Sequence, residues 1–296
     1  ALSTRALQDG VVIRAEEADG RPVELVHLGM PGPGGSHTRV LVKAQRSEEL
    51  TVIEHYAALG PDPSWTNAVT EVSVGDNANI CHIQVLHGGD EAHRTGNLSV
   101  EIGRDGVFES HVVALGGRIG RSEVQVRLSG QGSRCDLTGL YVAAGKSVLD
   151  NYTEIEHIAT HTNSEEDYRG VMSDKSTGGF VGRVLIHEGA IKSETHQLNN
   201  NLLLSPNAVV HTRPQLEIDN DDVAASHGST VGQLDADAIF YLSSRGLSLE
   251  QARGLMIWAF VKAQIDRLPV EGLKRLCLER VADRLSLTDS WIGELE

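Results

Sequence analysis

The chemistry this chain offers gathers around one histidine among small residues, Ser226-His227-Gly228-Ser229-Thr230. Neutral imidazole is a good ligand for iron and other borderline transition ions. Ala225, Ser226 and Gly228 would let an ion or a second protein approach the ring closely. Just upstream run Asp219, Asn220, Asp221 and Asp222. They could supply the several oxygens a hard cation needs, but the expected use is an Asx-type corner that satisfies exposed backbone N–H groups. His157, His161, His187, His196 and His211 alternate with apolar residues and read as outward-facing or ladder histidines. Cys81, Cys135 and Cys277 form no CxxC pair, so a disulfide framework and a self-contained zinc site are disfavoured. Three thiols cannot by themselves complete a four-cysteine iron–sulfur site. GxxxxGK[ST], HExxH and GxSxG are all missing, so the chain reads as a non-enzyme.

These residues sit at a change of architecture. From Thr38 to about Ile218 short segments such as RVLVKA, LTVIEHYA, ICHIQVL and VQVRL alternate apolar and polar residues, the period-two signal of strands with one buried face. Turn clusters begin at Gly75, Gly103 and Gly130, spaced 28 and then 27 residues apart. Aromatic content is only 4%, too little to fill the gap between two sandwich sheets. The small β-branched inward residues suit the stacked rungs of a β-helix better. Asn199, Asn200 and Asn201, beside Leu202-Leu203-Leu204, read as an amide ladder or tight corner. After Gly232 the period becomes helical. Asp235 is placed to cap a helix ending at Gly246, and Ser248 with Gln251 has capping-box spacing for a second. That second helix is expected to bury Ala252, Leu255, Met256, Ala259, Phe260 and Ala263. A third is expected to bury Leu273, Leu276, Cys277, Val281 and Leu285. The three helices are expected to pack on one another and on the end of the β-structure, or on a partner.

The formal charge is 26 − 41 = −15 with no basic cluster, which argues against nucleic acid. No run approaches the length of a membrane span. Scattered free cysteines suit a reducing cytoplasm.

The stretch from about Ile155 to Leu247 resembles the SufB/SufD family of iron–sulfur cluster scaffold proteins, and within it the SufD-like members. The resemblance is carried by Tyr168-Arg169-Gly170-Val171, Pro214-Gln215-Leu216-Glu217-Ile218, Ser226-His227-Gly228-Ser229-Thr230-Val231-Gly232-Gln233-Leu234-Asp235, and Phe240-Tyr241-Leu242 with Ser244-Arg245-Gly246. It implies a right-handed parallel β-helix followed by a small C-terminal helical domain. It also implies a complex in which the β-helix end pairs with SufB and the helices dock the SufC ATPase. His227 takes the position of a proposed iron or cluster ligand at the subunit interface, for which Ser226, Gly228, Phe240, Tyr241, Arg245 and Gly246 are the expected surroundings. Ala225 stands where related sequences often carry Cys, which removes a thiol, and Ser229 replaces the usual Ala. The expected layout is an N-terminal segment or linker over 1–36 (a truncated helical region), the β-helix over 37–232 and the helical domain over 233–296. Two other readings stay open: a SufB-like homodimeric scaffold, and a β-helical carbohydrate-active enzyme using Asp219 to Asp222.

Overall fold

In the computed structural model residues 10–32 and 34–287 are described. Residues 1–9 of the expected N-terminal segment, Pro33 of its Pro/Gly stretch and residues 288–296 of the expected helical domain lie outside these. The chain winds into a two-sheet parallel β-solenoid, each sheet contributing one strand per turn. One eight-stranded sheet (sheet A) runs in sequence order from Val11–Arg14 to Val209–Ile218, and the other (sheet B) from Val23–Gly29 to Ala224–Gly232. Every pairing between these strands is parallel, and register is kept residue by residue, as in Val148↔Thr177 through His157↔Ile186. The solenoid starts earlier than the expected boundary at residue 37. Val11–Arg14 pairs with Ser36–Ala44, and Val23–Gly29 with Glu49–Ala58, so this part of the supposed linker forms the first rungs. The two strands are short and the Pro/Gly stretch follows them, which hid their period.

The two sheets differ on their outer faces. Sheet A strands alternate strictly, as in Val148–His157, and their outward residues meet solvent in ion-pair rows such as Arg183 between Glu154 and Glu217. Sheet B strands end in unbroken buried runs, such as His82 to Leu86 and Leu137 to Ala143, because both faces are covered there. Inward residues including Val42, Ile80, Phe108, Leu137 and Tyr141 fill the solenoid. Outward residues Ile53, Ile83, Val85, Val113, Leu140, Val142 and Val171 form a second core with the helices.

Those helices are α1 (Ala236–Ser244), α2 (Leu249–Ile265) and α3 (Glu271–Leu285). Asp235 accepts from the N–H groups of Asp237 and Ala238, and Ser248 and Gln251 complete a capping box, as their spacing predicts. The buried face of α2 departs from expectation. It is Ala252, Gly254, Ile257, Trp258, Val261, Gln264 and Ile265, whereas Ala259 and Ala263 are exposed. Trp258 and Ile257 bury more apolar area than two alanines, so the helix turns that side to the sheet. On α3 Leu273, Cys277 and Val281 are buried as expected, joined by Leu278 and Ala282. The layer lies across the flank of the solenoid rather than on its end. It is fastened by Arg169, which donates to the Phe260 carbonyl at 3.0 Å, by Arg267 to Asp167 at 3.2 Å, and by Arg284 to Ser147 at 2.7 Å. No helix among the described residues is long and apolar enough to cross a membrane.

Candidate functional site

His227 lies on the last strand of sheet B, Ala224–Gly232, which pairs on one side only. Its register partner is Gln197, whose own partner is Glu166, which in turn faces Leu137. Leu137, Glu166 and Gln197 all point into the solenoid and are buried, so His227 occupies the inward row at its open end, exposed because no rung covers it. It makes no hydrogen bond or ion pair with the described residues. Gly228 beside it is seated on Leu198, where an added Cβ would stand 3.1 Å from Leu198 Cδ2.

The two rungs below His227 have a polar interior, with Ser164, Glu166, Thr195, Gln197, Asn199 and Asn201 pointing inward, all buried. Gln197 Nε2 donates to Glu166 Oε2 at 2.5 Å, while Glu166 Oε1 and Gln197 Oε1 have no partner among the described residues. Burial pushes the Glu166 carboxyl up to about 7, against the lowering effect of its hydrogen bonds. Asn199 donates to the Tyr141 hydroxyl at 3.2 Å and Asn201 to Asn199 Oδ1 at 2.6 Å, and the Tyr141 hydroxyl donates to Asn201. The consecutive asparagines therefore form a buried amide–phenol cluster. This close packing requires Gly170, where a Cβ would stand 2.5 Å from both Asn201 Oδ1 and the Tyr141 ring.

The other candidate residues separate. Ser226 meets His196 Nδ1 at 2.6 Å on the outward side. Phe240 and Tyr241, 75% and 57% exposed, stand on α1, which buries none of its side chains. Arg245 lies over the Tyr241 ring at 5.2 Å, and Gly246 ends the helix with φ +101°. Asp219 to Asp222 form the expected corner: Asp222 N–H donates to Asn220 Oδ1 at 2.8 Å and Asn220 to the Glu188 carbonyl at 2.6 Å. His157 is not outward-facing. It is fully buried among the Thr162 and Ser164 hydroxyls at 2.8 and 2.9 Å, and burial lowers its pKa to about 4.

One polar centre escaped the sequence reading. Glu54, fully buried, accepts from Tyr56 at 2.6 Å and Thr70 at 2.9 Å, and faces the Nε2 atoms of His82 at 2.7 Å and His27 at 2.9 Å. Burial alone would raise its pKa, but the hydrogen bonds from His27 and His82 outweigh it and hold the carboxyl well below the usual range. The partners come from four different strands, so no local motif signals them.

A two-sheet parallel β-solenoid flanked by three C-terminal helices, with His227 exposed on its open rung, defines the structural class. A family model described as SUF system FeS cluster assembly, SufBD core domain, matches residues 28–260, and the chain belongs to that family. It is 33% identical to the iron–sulfur cluster assembly protein SufD of Escherichia coli (strain K12) over 93% of its length and 66% of that protein. It is 30% identical to SufD of Bacillus subtilis (strain 168) over 86% and 59%, and 29% identical to an iron–sulfur cluster assembly SufBD family protein of Synechocystis over 92% and 63%. The chain thus spans about two thirds or less of the length of these relatives.

Proposed function

We propose that this chain is a non-catalytic, SufD-type scaffold subunit that works in the cytoplasm, pairing with SufB through its last rung and docking the SufC ATPase through its helices. The observation that carries the reading is the unpaired last rung. Val209, Ile218 and Val231 are 42%, 43% and 46% exposed there, along two free strand edges, and free edges of this kind call for a partner. The exposed aromatics of α1, directly after that rung, extend the same surface. A nine-residue helix that buries no side chain gains little from its own propensity and is stabilised by a partner packed against it. At this seam His227 presents an unengaged imidazole to iron or a nascent cluster, the complex's cargo, with ligands from the other subunit completing the shell. The SufB-like homodimer predicts the same edge pairing with a second copy.

The test is co-purification of the tagged chain with cognate SufB and SufC, wild type against His227→Ala. The expected result is a stable ternary complex in both cases, with less iron in the variant. Failure to form a complex with either protein overturns the pairing. Unchanged iron in an assembled variant removes His227 as a ligand.

A further inference from the structure

We infer that Cys81, Glu109 and His111, on the outer face of sheet B, form a binding site for a divalent transition ion of the zinc class, far along the solenoid from the open rung. Cys81 is on Asn79–Leu86, and Glu109 and His111 are on the next rung's strand, Val107–Ala114. The register places Cys81 directly against Glu109, with His111 two residues along on the same face. One ligand atom from each residue lies within 4.8 Å of the others. A tetrahedral ion with bonds of about 2.0–2.3 Å separates its ligands by roughly 3.3–3.8 Å, so closure needs about an ångström of movement. The half-exposed Glu109 side chain can supply it.

The histidine is already oriented for the task. Thr138 Oγ1 lies 3.1 Å from the Ser110 carbonyl and 2.5 Å from His111 Nδ1. When the hydroxyl donates to the carbonyl, Nδ1 carries the proton and Nε2 the free lone pair, the arrangement that a hydrogen bond behind a metal-binding histidine produces. The nearby Arg267 is ion-paired with Asp167 at 3.2 Å.

Glu109 explains why an ion belongs here. It has no hydrogen bond or close ion pair among the described residues and stands against a partly buried thiol, while the field of Arg134, itself paired with Asp136, reaches it. A divalent cation would displace the thiol proton to solvent and balance one thiolate and one carboxylate, leaving the set neutral. Thiolate, imidazole and carboxylate together suit zinc-like ions better than calcium or magnesium. Three protein ligands leave a fourth position to water.

The experiment is titration of the full chain, free of any polyhistidine tag, with Co2+ at neutral pH, followed by displacement with Zn2+. The expected result is one ion per chain with a sulfur-to-cobalt charge-transfer band. That band is lost in Cys81→Ser, and affinity falls about tenfold or more in Glu109→Gln and His111→Gln. Cys135→Ser, Cys277→Ser and His227→Ala should leave it unchanged. The last comparison keeps this site separable from the open rung. No charge-transfer band at saturating Co2+, a band that survives Cys81→Ser, or unchanged affinity in the correctly folded Glu109→Gln variant each overturns the assignment.

Discussion

Glu166 and Gln197 share a hydrogen bond of 2.5 Å inside the solenoid, one rung apart and directly below His227. A carboxyl in that position is held protonated by burial, and this ties folding to pH. With the folded pKa raised to about 7 from 4.5, the native state holds a proton that the unfolded state releases. The stability this group contributes is complete below 4.5 and is lost as pH rises through 7. Its full extent is roughly 3 kcal/mol. His111 and His157, with lowered values, act in the opposite sense, losing stability as pH falls from 6.5 toward 4. The expected outcome is therefore a difference: urea unfolding of Glu166→Gln against wild type gives a variant relatively more stable at alkaline than at acid pH. Parallel pH profiles for the two proteins would contradict it.

Glu54 is the opposite case, an ionised carboxylate made tolerable by its donors. Its depressed pKa contributes stability above the usual carboxylate range that is lost as pH falls through the folded value. Glu54→Gln should cost about 3–5 kcal/mol, since it strips a buried charge from its partners. Tyr56→Phe, which removes one hydrogen bond, should cost about 1–3 kcal/mol. Thermal denaturation of both variants measures the ranking.

The amide–phenol cluster leaves no room at Gly170. Gly170→Ala must displace Asn201 or Tyr141 and should cost about 1–3 kcal/mol by overpacking. The same change at Gly145, which has no atom within 4 Å of an added Cβ, meets only the strain of its φ of +66°. Chemical denaturation of the pair separates crowding from backbone strain.

The helical layer depends on Trp258, buried against the flank of sheet B. Trp258→Ala should cost about 3–5 kcal/mol. Limited proteolysis should then clip the chain near Asp235 before it attacks the solenoid. Simultaneous cleavage of both parts would mean that they unfold as one unit.

Val231 tests the open rung without disturbing the fold. It is 46% exposed, so Val231→Lys should change stability by no more than about 0.5 kcal/mol. Size-exclusion chromatography with SufB should show the variant eluting alone where wild type co-elutes. Co-elution of both would place the pairing elsewhere.

Period-two alternation in segments such as VQVRL announced the strands, because residues 124–128 carry one buried face. The caps at Asp235 and Ser248 were equally readable, being local. The buried face of α2 was not, because both sides of that helix carry apolar residues and only the sheet beneath decides between them. The covering of sheet B was not legible, because segments such as ICHIQVL alternate like those of sheet A and their second buried face is set only by α2 and α3. His227 stood out through its small neighbours. Glu166, Gln197 and Glu54 did not, since the meaning of each comes from side chains on other strands, up to about thirty residues away.

The way the helices are fastened has a mechanical consequence. Arg284 grips Ser147, while Arg169 and Arg267 tie the neighbourhood of α2 to the strand Asn163–Met172. A pull on the helical layer is thus shared among several turns at once and passes into the hydrogen-bonded ladders that join one rung to the next. Because register is kept from rung to rung, a force applied at the flank reaches the open rung through an unbroken series of ladders.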